Sequence, residues 1–346
     1  MDKIISFIIP SYNVEQYLKV CLDSFVIPEW MEQLEVIVVN DGSGDRTAEI
    51  AASYMRQYPG TFRLINKENG GHGSAVNAGS KAASGRFLKV IDADDWVVTE
   101  NLPELLEKLA HCDADVVLTP FHMVDMVTRK REIRCMYLSD YQKSYSLEEI
   151  MTDWKSFDRC MTFHGIAYRR AFYEANRHEL PEKIFYEDQE YASIPCCHAA
   201  RIQAFDLFLY QYLVGNTGQS VAAHNQLKRI DHIGQVALNM ADYYAEHHEF
   251  SAGGKAYLAQ KIEGVLLSYY TVSCVVNPNK ADGRRKCHQL HAEIQKKSPE
   301  LVQRMKKKYF VYQVFSFMRL TPEGYHRLLN SRLYNLVRKN HTRESE

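Results

Sequence analysis

Along the first third of the chain, apolar and polar positions fall into blocks that predict strands and helices in turn. "IISFII" (4–9) is a continuous β-rich apolar run closed by Pro10. In "VEQYLKVCLDSF" (14–25) apolar residues recur at helical spacing, with Asn13 placed to cap the helix. "LEVIVVN" (34–40) predicts a second buried strand, and "AEIAASYMRQY" (48–58) a helix capped by Asp45 or Thr47. "TFRLIN" (61–66), "GRFLKVID" (85–92) and "DVVLTPF" (115–121) predict further strands. "SAVNAGSKAA" (74–83) and a segment near 101–110 predict the intervening helices. Strands that are apolar throughout, rather than at alternate positions, are buried on both faces. The pattern is therefore that of an α/β fold with a mostly parallel central sheet.

From about 122 to 222 the pattern is mixed, beginning with a hairpin region. From about 225 it becomes helical, over 225–248, 254–276, 284–297, 300–318 and 325–338. There is no internal repeat. The change of pattern divides the chain into a first domain, 1–222, and a helical C-terminal region, 223–346.

Composition changes this picture little. Of 346 residues 46% are hydrophobic and 25% charged, ample for a globular core. A net charge of −1 gives no general attraction to nucleic acid, so no nucleic-acid partner is expected. The charge is uneven, however. Leu301 to Glu346 holds ten Lys/Arg and three Asp/Glu, a net of +7, which leaves −8 on the remainder. No segment approaches the roughly 18–20 apolar residues of a spanning helix, and the start does not read as a secretion signal. Eight cysteines lie scattered with no C-x-x-C pair, and the adjacent Cys196 and Cys197 read as core. A reduced, cytoplasmic setting is expected.

Candidate chemistry lies where strands end. In open parallel sheets, ligands sit beyond the carboxyl ends of the strands. Here those ends carry "PSYN" (10–13), "NDGSGDRT" (40–47) and "DADD" (92–95). Asp92, Asp94 and Asp95 crowd three carboxylates into four residues. A divalent cation shared with a phosphate would justify them, since Mg²⁺ and Mn²⁺ favour hard oxygen ligands. Alternatively, Asp94 and Asp95 cap the next helix or solvate a turn. The glycine-rich "NGGHGSAVNAG" (69–79) is not a P-loop, because no Gly-Lys-Ser/Thr follows. It also fails the dinucleotide fingerprint, with Val76 where a glycine is required. There is no H-E-x-x-H and no G-x-S-x-G.

"SFIIPSYNVEQYLKVCLDSF", "EVIVVNDGSGDRT", "NKENGGHGSAVNAGSKAASGRFLKVIDADDW" and "FYEDQEY" resemble, in order and spacing, family 2 of the inverting glycosyltransferases. The resemblance covers residues 4–120 most closely, reaches to about 222 and does not extend to the helical third. It implies the GT-A fold and a polysaccharide-building type of transferase. It also implies residue roles. Pro10 and Tyr12 match the wall beside the nucleotide base, where an aromatic face stacks on uracil. Asp41 matches the carboxylate that accepts from the base. Asp92 matches the residue near the ribose or metal, and Asp94 the direct metal ligand. Asn77 is retained as a donor-site residue. "YED" (186–188) matches the segment that supplies the general base, with Asp188 first and Glu187 second. A helix N-terminus would also attract those two charges without catalysis.

The chain departs from this family at Val76 and Asn216, where arginine is common. Lys89, His72 or Lys67 are candidates for the missing cation, and His224 for a further metal ligand or a plain surface histidine. The implied reaction moves a sugar from a nucleotide-diphosphate donor, a UDP-sugar, to a glycan or lipid-linked hydroxyl with inversion, assisted by Mg²⁺ or Mn²⁺. The alternatives are a sugar nucleotidylyltransferase and a non-catalytic nucleotide-sugar-binding member. In "RMKKKYFVYQVFSFMRL" (304–320), basic residues precede an aromatic run. That stretch suits peripheral contact with the inner face of the plasma membrane. The other reading packs Phe310, Val314, Phe317 and Met318 against the catalytic domain.

Overall fold

The computed structural model describes residues 3–215 and 223–330. They form two compact units, residues 1–219 with 247–261 and residues 220–246 with 262–346. Residues 247–261 thus group with the first unit, a return of the chain that the helical pattern alone does not reveal.

The first unit holds the strands β1 (Ile5–Ser11), β2 (Leu34–Asp41), β3 (Phe62–Lys67), β4 (Phe87–Val90), β5 (Trp96–Val97) and β6 (Val116–Leu118). It also holds β7 (Phe121–Asp125), β8 (Arg131–Arg134), β9 (Ser144–Tyr145), β10 (Ile166–Arg169), β11 (Ile202–Ala204) and β12 (Tyr210–Val214). The large sheet runs β3-β2-β1-β4-β10-β6-β11-β9, and a second sheet runs β5-β12-β7-β8. β3, β2, β1 and β4 are mutually parallel, with Ser11 paired to Asn40 and Ile8 to Val90. β1 and β2 are buried along their whole length, as their unbroken apolar sequences require. β3, at the edge, leaves Arg63 exposed. Because neighbours run the same way, the carboxyl ends of β1, β2 and β4 meet at one rim.

Helices α1 (Leu18–Asp23), α2 (Thr47–Gln57), α3 (His72–Ala82) and α4 (Leu102–Ala110) connect the first strands. α1 is shorter than its apolar spacing predicts, and Asn13 does not cap it. Asn13 takes φ 52° and its side chain accepts from the Gly44 amide at 2.9 Å, tying the first two rim loops together. The expected strand 115–121 is two strands in different sheets. Pro120, with no N–H for a ladder, sits at the crossing. β7 and β8 form the expected hairpin.

The second unit is helical, with Ile230–Glu246, Lys280–Lys297, Pro299–Phe317 and Pro322–Leu329 as its main helices. The π-turn Val272–Val276 closes the long helix before it. Glu263 accepts from Arg304 at 2.5 Å and Lys308 at 2.8 Å. Leu301, Met305 and Tyr312 supply the buried face of Pro299–Phe317, while Phe310, Phe317 and Met318 stand exposed. No helix among the described residues is long and apolar enough to cross a membrane.

Candidate active site

Three acidic groups line the rim. Asp41, at the end of β2, is 2% exposed. Its carboxylate accepts from Lys67 Nζ at 2.7 Å and from the Gly70 and Gly71 amides at 2.9 and 2.8 Å. Lys67 is therefore committed to Asp41. Pro10 is buried near the end of β1, while Tyr12, just beyond that strand, is 52% exposed and presents an open ring.

The turn after β4 holds the crowded carboxylates. Asp95 is buried, and its two oxygens accept from Tyr210 Oη at 2.6 Å and the Leu213 amide at 2.7 Å. Burial, with the charges of Asp94 and Asp92, nonetheless pushes its carboxyl well above the ordinary range. The Asp92 amide donates to Tyr210 Oη at 3.1 Å, so one phenol fixes both ends of the turn.

His72 joins this turn to the "YED" segment. Its Nε2 lies 2.9 Å from Asp92 Oδ1 and its Nδ1 2.6 Å from Glu187 Oε1. Burial works against a charged ring here. The two carboxylate hydrogen bonds outweigh it and hold the imidazole well above its usual range. Burial likewise opposes ionisation of Asp92, but the hydrogen bond to His72 leaves its carboxyl lowered. His72 opens α3 directly after the glycine pair. Gly71 takes φ +88°, and a Cβ there would meet the Lys183 backbone nitrogen at 2.9 Å. Gly73 lies as close to Glu187, its notional Cβ falling 2.9 Å from Glu187 Cγ. These glycines let segments a hundred positions apart in sequence come into contact.

Asn77 belongs to the same junction. Its amide donates to the Leu180 carbonyl at 2.9 Å and accepts from the Leu180 amide at 3.1 Å, anchoring the approach to "YED". Asp188 begins the helix Asp188–Ser193 and accepts from Gln189 Nε2 at 2.9 Å. Loss of solvation and the neighbouring Glu187 charge push its carboxyl up to about 6. Lys261, from the returning segment, feels the Asp188 charge while donating to the Met161 carbonyl at 2.9 Å.

Among the described residues, one group of three offers ligand atoms within 4.8 Å of one another: Asp92, Asp95 and His164. Burial lowers the His164 imidazole to about 4, so the ring is neutral and keeps a lone pair. Rings of Phe121 and Tyr212, with centroids at 5.1 and 4.2 Å, hold it. The two carboxylates suit Mg²⁺ or Mn²⁺, while the neutral imidazole adds a nitrogen ligand of the kind transition metals take. Asp94, expected as the direct ligand, lies half-buried on the same turn but outside this group.

Other expectations resolve differently. Val76 is buried, and Lys89 does not reach the rim. Its ammonium is buried against the carbonyls of His164 and Ile166 at 2.7 and 3.0 Å, and burial lowers it to about 7. His224 is exposed on the second unit, and Asn216 lies outside the described residues. Sequence reading missed His164, Tyr210 and Lys261. Tyr210 opens the stretch "YQYLVGNTGQSV" (210–221), which resembles the strand–loop that follows the catalytic motif in this family, but it carries no role there. His164 and Lys261 sit in no motif, and only the fold brings all three near the carboxylates.

The parallel strands β3, β2, β1 and β4 thus end at an acidic rim that is faced by a second carboxylate segment. Residues 6–176 match the model of the family Glycosyl transferase family 2. The uncharacterized glycosyltransferase EpsJ of Bacillus subtilis is 37% identical over 122 residues, 35% of this chain and 35% of that relative. The chain spans less than two thirds of the curated relatives it matches. In fold, it resembles S. aureus TarS 1–349 in complex with UDP-GlcNAc, 19% identical. The TM-score is 0.63, covering 91% of this chain and 89% of that one. A mannosyltransferase from Pyrobaculum calidifontis in complex with GDP-Man and Mn²⁺ gives 0.51 at 16% identity, covering 92% and 87%. These likenesses bear out the GT-A fold.

Proposed function

We propose that this protein transfers a sugar from a UDP-sugar to a hydroxyl of a glycan or lipid-linked acceptor, with inversion at the anomeric carbon. The observation that carries the reading is the chain Asp92–His72–Glu187, which seats the carboxylate turn of the rim against the "YED" segment. A donor-binding rim and a general base must lie this close for one direct displacement.

The residues take the following roles. Tyr12 and Pro10 form the wall for the base, and Asp41 keeps acceptor capacity for the base N–H beyond the three donors it already serves. Asp188 takes the proton of the acceptor hydroxyl as that oxygen attacks, and Glu187 is placed by His72 beside it. Asn77 positions this segment through Leu180. Asp92, Asp95 and His164, with Asp94 on the same turn, would hold Mg²⁺ or Mn²⁺. That ion supplies positive charge for the departing diphosphate. Burial, with the neighbouring charges of Asp94 and Asp92, raises the Asp95 carboxyl, and a bound cation would offset that. The TarS complex with UDP-GlcNAc and the mannosyltransferase complex with GDP-Man and Mn²⁺ support the donor class and the metal by analogy of fold. We assign catalysis to residues 1–222, joined by the returning segment 247–261, with the rest of 223–346 as a helical accessory region.

Calorimetry tests the donor site. UDP should bind in the presence of Mn²⁺, and binding should weaken at least tenfold in Asp92→Ala. Equal affinity with excess EDTA would remove the metal from the account.

A further inference from the structure

We propose that the outer face of the helix Pro299–Phe317 docks the protein onto an anionic phospholipid surface. The inference stands on the second unit and is independent of the transfer reading.

This helix is apolar on two opposite sides. Leu301, Met305, Tyr312 and Ser316 are buried and make its inner face. Lys306, Lys307, Phe310, Val311 and Phe317, with Met318 just after the helix, are exposed. At 3.6 residues per turn these six fall within an arc of about 140°. Phe310 is 67% exposed, Phe317 70% and Met318 72%. Single exposed apolar residues are ordinary, but a row of them along one helix face, bordered by cations, marks an interaction site.

The charge beside the row decides the partner. A concavity of about 780 Å³ opens next to Phe317, lined among others by Lys280, Arg284, Arg319 and one carboxylate, Glu323. The Arg284 guanidinium lies 4.3 Å over the Phe317 ring and donates to Ser316 Oγ at 3.2 Å. Lys280 donates to the Val275 carbonyl at 2.6 Å. Both cations retain further donors for phosphate oxygens. Aromatic and thioether side chains that enter the acyl boundary, beside cations at headgroup level, are the chemistry of an interfacial helix. A polyanion without an apolar phase would use the lysines and leave Phe310, Phe317 and Met318 in water.

Flotation of the full-length protein with phosphatidylcholine vesicles, with and without phosphatidylglycerol, tests this. At low salt the protein should rise with the anionic vesicles and stay down with the neutral ones. Lys306→Gln/Lys307→Gln/Arg319→Gln should weaken partition about a hundredfold, since each cation near such a surface counts about fivefold. Phe310→Ser/Phe317→Ser/Met318→Ser should weaken it at least tenfold, with unchanged circular dichroism and unchanged UDP binding. Wild-type protein that stays down with anionic vesicles overturns the proposal. So does a serine variant that floats like wild type, which would make the attraction purely electrostatic. A serine substitution that instead converts a dimer to a monomer on sizing would give this face to a second copy of the chain.

Discussion

A carboxylate serves as a base only while it is ionised, and Asp188 is held where ionisation is harder than usual. Its carboxyl lies at about 6, raised by lost solvation and by Glu187. The protonated form cannot accept a proton, so kcat/KM for transfer should fall as pH drops through about 6 and level off above it. A profile that stays flat down to pH 5 would place the base elsewhere. Asp188→Asn keeps the size and loses the base, and should lower kcat by about 10²–10⁴ while leaving UDP affinity unchanged. His72 has the opposite sign. Its folded-state value is raised, so the stability it adds is present in full below its unfolded value of about 6.5 and is lost as pH rises through the folded value. His72→Ala leaves the buried Glu187 without that partner. The change should cost roughly 1–3 kcal/mol in urea unfolding near pH 6 and less in alkaline buffer. An equal cost at both pH values would show that the ring acts only through packing.

At the scale of elements, the strands were legible because a parallel sheet buries both faces and so writes unbroken apolar runs. β1, β2 and β3 fall within a residue or two of those runs. The limits of α1 and the split of 115–121 were not legible, since Asn13 and Pro120 act through loops and sheets distant in sequence. The rim residues Asp41, Asp92 and Asp94 were readable from strand ends and family resemblance together. The junction was not. His72 looked like a stand-in for a missing arginine, but it links Asp92 to Glu187, and Asn77 turned out to hold Leu180. Glycines make that junction possible. Gly71→Ala would put a Cβ 2.9 Å from the Lys183 nitrogen in a left-handed conformation that L residues reach at a cost of about 1–2 kcal/mol. The variant should keep its overall helicity but lose much of its kcat, because the "YED" segment is displaced. Unchanged kcat would mean that the approach of 69–74 to 180–188 does not matter for turnover.

For the whole molecule, one sheet gathers chemistry that is scattered over more than 170 residues of sequence, from Pro10 to Asp188. The returning segment 247–261 adds Lys261 near the proposed base, which explains how part of the helical region contributes to the catalytic unit without carrying a motif. The remaining described helices carry most of the tail's positive charge and the exposed apolar row, features with no place in the transfer chemistry. The central claim is that the acidic rim activates a nucleotide sugar. The most direct measurement is nucleoside diphosphate release from a panel of UDP-, GDP- and dTDP-sugars, with Mn²⁺ or Mg²⁺ and with EDTA. The account predicts UDP release from a UDP-sugar that depends on the cation and is lost in Asp92→Ala. Contradicting results would be no diphosphate release from any donor, or exchange of pyrophosphate into the sugar nucleotide, the signature of a nucleotidylyltransferase.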